Sequence, residues 1–203
     1  MTRSRMLELA AQPLDGSFDY AHMKAIHRYI FQDIYEWAGQ ERTAPTDGPM
    51  YKDGHAYYPA GPALTAAAYE EYAKIAASDY LRGLDHGEFV SELAERWGEL
   101  NVIHSFREGN TRSQFVFFSH LCEQAGYRLD TLAFKVGSSL REEFVLARFH
   151  SQDTGRNDRL AAVLGNAIRS RPGTREELQR RLDIIKSKRR GYYRPKRPRG
   201  RKQ

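Results

Sequence analysis

Apolar residues at Phe89, Leu93, Trp97, Leu100 and Ile103 recur every three to four positions, the spacing of a helix with one buried face, and predict a helix over residues 88–103. The period returns at Phe115, Phe118, Leu121 and Cys122 and predicts a second helix over 113–124. Between them lies a polar run around one glycine, His104 to Arg112. Upstream, Met23, Ile26, Ile30 and Ile34 share a face over residues 20–37, with Gly39 as the terminator. Pro62 opens an alanine-rich helix over 63–81. Asp85 with Glu88, and Ser139 with Glu142, have the three-residue spacing of capping boxes, so helices begin there. Residues 157–168 and 176–188, the last preceded by Thr174, complete a set of about seven. The only strong strand signal is Asp53-Gly54, a two-residue hairpin turn between Met50-Tyr51-Lys52 and His55-Ala56-Tyr57-Tyr58. The pattern therefore predicts an all-α bundle with one small β-hairpin.

Neither an internal repeat nor a long linker divides the 203 residues. We expect a lead segment over 1–19, one catalytic-type domain over 20–170, a C-terminal helix over 171–190 and a disordered tail over 191–203. Charge sharpens that division. Ten Lys and Arg but no Asp or Glu lie between Lys186 and Gln203, which leaves the preceding body with 22 Lys and Arg against 26 Asp and Glu. The formal charge of +6 thus belongs to the tail. Such a block cannot bury apolar surface, and with Tyr192 and Tyr193 it could hold nucleic acid by counterion release and stacking. It equally suits a solvated tail of no specific role. No run of 18 apolar residues and no apolar core in Met1–Leu14 point to membrane or export, and the single cysteine cannot form an internal disulfide, so a cytoplasmic setting is expected.

The chemistry concentrates in His104-Ser-Phe-Arg-Glu-Gly-Asn-Thr-Arg112. A histidine closes one helix, and Gly109 to Arg112 approach the N-terminus of the next, where free N–H groups and the positive dipole end favour a phosphate. An imidazole with an ordinary pKa near 6.5 is a suitable base, a carboxylate can hold a cation, and an arginine can fork onto phosphate. The other six histidines form no His/Cys cluster of metal-binding spacing.

This run resembles the signature of Fic-domain proteins, His-Pro-Phe-x-Asp/Glu-Gly-Asn-Gly-Arg-x-x-Arg, at His104, Phe106, Glu108, Gly109, Asn110 and Arg112. Tyr35-Glu36-Trp37-Ala38-Gly39 is similar to the Tyr-x-Trp-Ala-Gly segment before the flap in that family, and the likeness extends over about residues 20–170. The resemblance implies the Fic fold and transfer of AMP from ATP to a Ser, Thr or Tyr hydroxyl of another protein. It assigns His104 as base, Glu108 to Mg²⁺, and Phe106, Arg107, Gly109, Asn110, Thr111 and Arg112 to the nucleotide site, with Phe106 also anchoring the loop in the core. The hairpin implies a target-docking flap presenting Tyr51, His55 and Tyr57. A type II topoisomerase is the kind of intracellular target a toxin module of this family would modify, with a small antitoxin as its brake.

Two positions depart from the signature. Thr111 replaces glycine and crowds a phosphate approach; Phe115 replaces the closing arginine, a loss for which Arg107 could compensate. The nearest likeness to an inhibitory helix, Ser4 to Glu8 followed by Leu9, lacks the usual glycine or asparagine and has no arginine partner at 115, so no self-clamp is expected. Two alternatives stay open: transfer of phosphate, another nucleotide or a phosphate-containing group, and an inactive binding protein whose basic tail contacts nucleic acid.

Overall fold

Asp85 accepts a hydrogen bond from the Glu88 amide while the Glu88 carboxylate accepts from the Asp85 amide, so the expected capping box starts the longest helix among the described residues. In the computed structural model, which describes residues 1–171, the elements in order are α1 (Thr2–Ala11), α2 (Tyr20–Phe31), β1 (Met50–Lys52), β2 (His55–Tyr57), α3 (Pro62–Ala77), α4 (His86–Ile103), α5 (Asn110–Gln124), β3 (Tyr127–Leu129), α6 (Ser139–Thr154), α7 (Asp158–Ala167) and β4 (Ile168–Ser170). The helix expected over 176–188 and the basic tail lie outside the described residues.

The helix α4 is the axis. Its apolar face, Phe89, Leu93, Trp97 and Leu100, is buried as the period predicted, and α3, α6 and α7 pack around it. Trp97 stacks on Phe118 of α5 with ring centroids 4.4 Å apart, which ties together the two helices that flank the polar run. Gly98 is a contact residue: a Cβ there would meet the Asn157 carboxamide at 2.3 Å, so α7 can approach only because the side chain is absent. Among the described residues, no helix is long and apolar enough to cross a membrane.

Four expectations need correction. Helix α2 stops at Phe31 rather than near Trp37, and Ile34, assigned to the buried face, is 48% exposed. The cause is Gly39, whose N–H donates to His27 Nδ1 at 2.9 Å and pulls the chain back along α2. Trp37 is half-buried as a shelf under Tyr35. The cap of α6 is Ser138, one residue before the expected Ser139. Finally, α1 forms within the expected lead segment, and a second antiparallel pair joins β3 to β4, Tyr127 opposite Ser170. Three-residue strands 41 positions apart carry no local signal, and α1 buries only Leu9 completely.

His22, His27, His104 and His120 are all buried, and burial lowers the pKa of each below the ordinary 6.5, to about 4 for His27 and about 3 for His104. The folded imidazoles hold protons more weakly than the unfolded ones, so the unfolded chain takes up the extra protons below pH 6.5. Stability is then complete above that value and declines as pH falls toward the folded values, by roughly 1.4 kcal/mol per pH unit for each histidine kept neutral. Thermal melts between pH 7.5 and 5 are expected to show a falling midpoint; a flat one contradicts this account.

Candidate active site

The last turn of α4 ends at His104, which takes a left-handed conformation (φ 50°, ψ 57°) as the C-cap, and α5 begins six residues later. Arg42 fixes that corner. Its buried guanidinium donates from Nε to the His104 carbonyl at 2.8 Å, and from Nη2 to the Ile103 carbonyl at 3.4 Å and to the Tyr58 carbonyl. Its own amide donates to the Ser105 carbonyl at 2.9 Å. A cation on the exposed carbonyls of a helix C-terminus meets both the orphan acceptors and the negative dipole end. Nothing in the local pattern around Arg42 marks it for this, because its partners at the end of α4 lie some 60 positions away.

The loop itself is held from α2. Phe106 is buried and stacks on His27 at a centroid distance of 3.9 Å, while His27 Nε2 meets the Glu108 carbonyl at 2.9 Å. Because Nδ1 accepts from the Gly39 amide, Nε2 must carry the hydrogen and donate it to Glu108; the pKa near 4 keeps this neutral tautomer. Gly109 is a packing requirement as well as an anion approach: its φ is +86° and a Cβ would lie 2.4 Å from the Phe31 ring. Asn110 folds back, accepting from the Phe106 amide at 2.9 Å and donating to the Phe106 carbonyl at 2.6 Å. Both ends of its carboxamide thus lock the loop, leaving one N–H for a ligand.

His104 presents the most perturbed imidazole. Burial lowers its pKa to about 3, and the cations Lys52, Arg42 and Arg148 push in the same direction. The Asn101 carbonyl offsets part of this without meeting the geometry of a hydrogen bond, for Nδ1 is buried and unpartnered. The ring lies 4.4 Å from that of Tyr57, and the residue lines an open cavity of about 740 Å³. Glu108, Gly109, Asn110, Thr111 and Arg112 line the same cavity, so six of the expected residues converge on it. Arg112 lies over the Phe31 ring at 4.5 Å.

Other expected residues are placed differently. Arg107 is exposed beside Trp37, away from the cavity, and so is not positioned to replace the arginine absent at 115. Phe106, grouped with the nucleotide site, is instead a core anchor: it does not line the cavity, and its amide and carbonyl are both engaged by Asn110. The hairpin forms as expected, but its second strand is occupied: Tyr57 is buried against His104, the Ala56 carbonyl accepts from Gln152, and His55 pairs with Asp153 at 2.7 Å and stacks on Phe149. Tyr51 alone of the three flap residues is exposed, at 69%. Glu8 bonds Ser4 and Tyr29 and does not line the cavity, whereas Arg3, Met6 and Leu7 of α1 do. Three cavity residues escaped the sequence pattern: Lys52, 3.6 Å from the Glu108 carboxylate, and Arg141 and Arg148 of α6.

Residues 17–122 match the model of the Fic/DOC family. The chain belongs to the Fic/DOC family. This Fic/DOC chain is 33% identical over 180 residues to the protein adenylyltransferase VbhT of Bartonella schoenbuchensis, covering 89% of the chain and 34% of that protein. It is 40% identical over 117 residues to the probable protein adenylyltransferase y4lH of Sinorhizobium fredii, covering 57% and 58%. It therefore spans between a third and three-fifths of the length of these relatives. Among solved structures, the Bartonella tribocorum BepC protein with bound AMPPNP superimposes with a TM-score of 0.74 at 22% identity, over 84% of this chain and 83% of that one. The fold is the Fic fold.

Replacing Arg42 with Ala strands the Ile103 and His104 carbonyls at the α4 terminus and the Tyr58 carbonyl after the hairpin, and is expected to cost roughly 3 kcal/mol, with a thermal midpoint several degrees lower. Arg42→Lys keeps the charge but not the fork, and should retain less than half of that stabilisation. Equal stability of Arg42→Ala and the unmutated protein in urea titrations is the contrary result.

Proposed function

We propose that the chain is a protein adenylyltransferase, which moves AMP from ATP to a hydroxyl side chain of another protein. The observation that carries this reading is a neutral imidazole at a helix C-cap, lining the same cationic cavity as the N-terminus of the next helix. The naming of the curated relatives as protein adenylyltransferases supports it.

The target's hydroxyl oxygen attacks the α-phosphorus of ATP, the bond from that phosphorus to the bridging oxygen breaks, and pyrophosphate leaves. His104 takes the hydroxyl proton, a role for which its unprotonated state at neutral pH suits it. The α5 N-terminus and the remaining Asn110 N–H stabilise charge on the α-phosphate, and Arg112 forks onto the next phosphate. Glu108 fits a Mg²⁺ held jointly with substrate oxygens and water, since it is a single half-exposed carboxylate and no cluster of three acidic, His or Cys ligands exists among the described residues. Such an ion supplies neutralisation of phosphate charge. Lys52, 3.6 Å from the Glu108 carboxylate, would compete with such an ion for it. The free edge of β1 at Tyr51 aligns a target segment by main-chain hydrogen bonds, since Gln152 already occupies the β2 side.

A second reading, transfer of phosphate, another nucleotide or a phosphate-containing group through the same site, is favoured by Thr111, whose hydroxyl is engaged by Arg148. The mass added to a modified protein separates the two.

Incubation of the protein and a cell lysate with ATP labelled at the α-phosphate is expected to label a protein, and His104→Ala to abolish the label. Label from both proteins, or from neither, contradicts the proposal. With the imidazole pKa near 3 in the free enzyme, kcat/KM should change by no more than about twofold between pH 7.5 and 5.5, because the base stays unprotonated throughout. An acid limb centred at or above 6.5 contradicts this assignment. Lys52→Ala removes an exposed ion pair and is expected to lower the Mg²⁺ concentration needed for half-maximal transfer by roughly twofold to fivefold.

A further inference from the structure

Among the described residues, the arginines that reach furthest into the protein include Arg42, Arg96 and Arg148, and the first two have partners that compensate their charge or their hydrogen bonds. Arg96 pairs with the buried Glu71 carboxylate at 2.6 Å, and Arg42 donates to backbone carbonyls. Arg148 is different. From α6, its Nη1 donates to the Asn101 side-chain oxygen at 3.1 Å and to Thr111 Oγ1 at 2.9 Å, both neutral acceptors. No Asp or Glu among the described residues lies within ion-pair distance of it. Its Nε is buried with no partner, and its Nη2 makes no hydrogen bond among the described residues. A half-buried guanidinium without a counter-charge is costly, and an anionic ligand removes the cost.

The position of that charge is specific. Asn101 belongs to the last turn of α4 and Thr111 to the first turn of α5, so the guanidinium bridges the two helices just behind the loop. Phe144, one turn back on α6, supports it as a platform with the cation 5.0 Å from the ring centroid, and Phe115 packs on Phe144 at 5.1 Å. Position 115 thus holds not a second cation on α5 but part of the aromatic stack that carries a cation from α6. Arg141, two turns from Arg148 along α6, lines the same cavity.

We propose that Arg148, steered by Thr111 and backed by Arg141, binds the terminal phosphates of the nucleotide from the α6 side of the cavity. This rests on the adenylyltransferase reading and adds to it the residue that distinguishes a nucleoside triphosphate from a monophosphate. Thr111 then orients the fork, using the hydroxyl that glycine would not provide, and Nε and Nη2 remain for phosphate oxygens.

Titration calorimetry of ATP and of AMP against the full chain tests it. Arg148→Gln is expected to weaken ATP by roughly tenfold or more and AMP by less than about threefold, and Thr111→Val to weaken ATP alone by a few-fold. Equal losses for ATP and AMP, or no loss, overturn the inference while leaving the adenylyltransferase reading in place. Absence of ATP binding by the unmutated chain overturns both. If Arg148→Gln does not fold, as judged by circular dichroism and its melting point, Thr111→Val and Arg141→Gln decide: a lowered preference for ATP over AMP supports the inference and an unchanged preference overturns it.

Discussion

The buried guanidinium of Arg42 is the fixed point of this protein's chemistry. It collects the carbonyls that a helix terminus leaves without donors and joins them to the chain leaving the hairpin, so the end of α4 and the base of the flap become one unit. Everything that defines the site is placed relative to that unit. His104 holds a left-handed backbone conformation that costs a non-glycine residue about 1 kcal/mol, and the bond from Arg42 to its carbonyl is part of what maintains it.

Around this corner burial and the charged neighbours act in one direction, opposed only in part by the Asn101 carbonyl. Lys52, Arg42 and Arg148 all disfavour a charged His104, and burial disfavours it more. The result is an imidazole kept neutral within a cationic cavity, the state that the proposed transfer needs in a group that accepts a hydroxyl proton. The same cations await negative charge: Lys52 borrows Glu108 across the flap, whereas Arg148 has only neutral oxygens. Binding of an anion there, as proposed, would compensate these cations and raise the basicity of His104.

Rigidity comes from packing rather than from charge. Phe106 lies flat on His27, Gly109 presses on the Phe31 ring, and Asn110 ties the loop's start to the first turn of α5. Truncating a buried Phe such as Phe106 costs on the order of 3–5 kcal/mol, comparable with a large share of a domain's stability, so the loop is as firmly set as the core it grows from. His27 is the hinge of that arrangement, a neutral histidine whose two nitrogens are committed to Gly39 and Glu108.

The sequence by itself determined the existence of helices α2 to α7 and the run that joins α4 to α5. Apolar periodicity over Phe89 to Ile103 and the Asp85/Glu88 pair are local, and a helix responds to residues three and four positions away. The hairpin was legible for the same reason, through Asp53-Gly54. Tertiary structure decided what those elements meet. Gly39 turned the chain back and shortened α2; Tyr57 turned inward to His104 instead of outward to a target; Arg42, His27, Lys52 and Arg148 reached the site from 37 to 81 positions away. Such contacts depend on how α2, the hairpin and α6 converge, and no spacing along the chain encodes that convergence, because side chains distant in sequence become neighbours only once the shared core has closed.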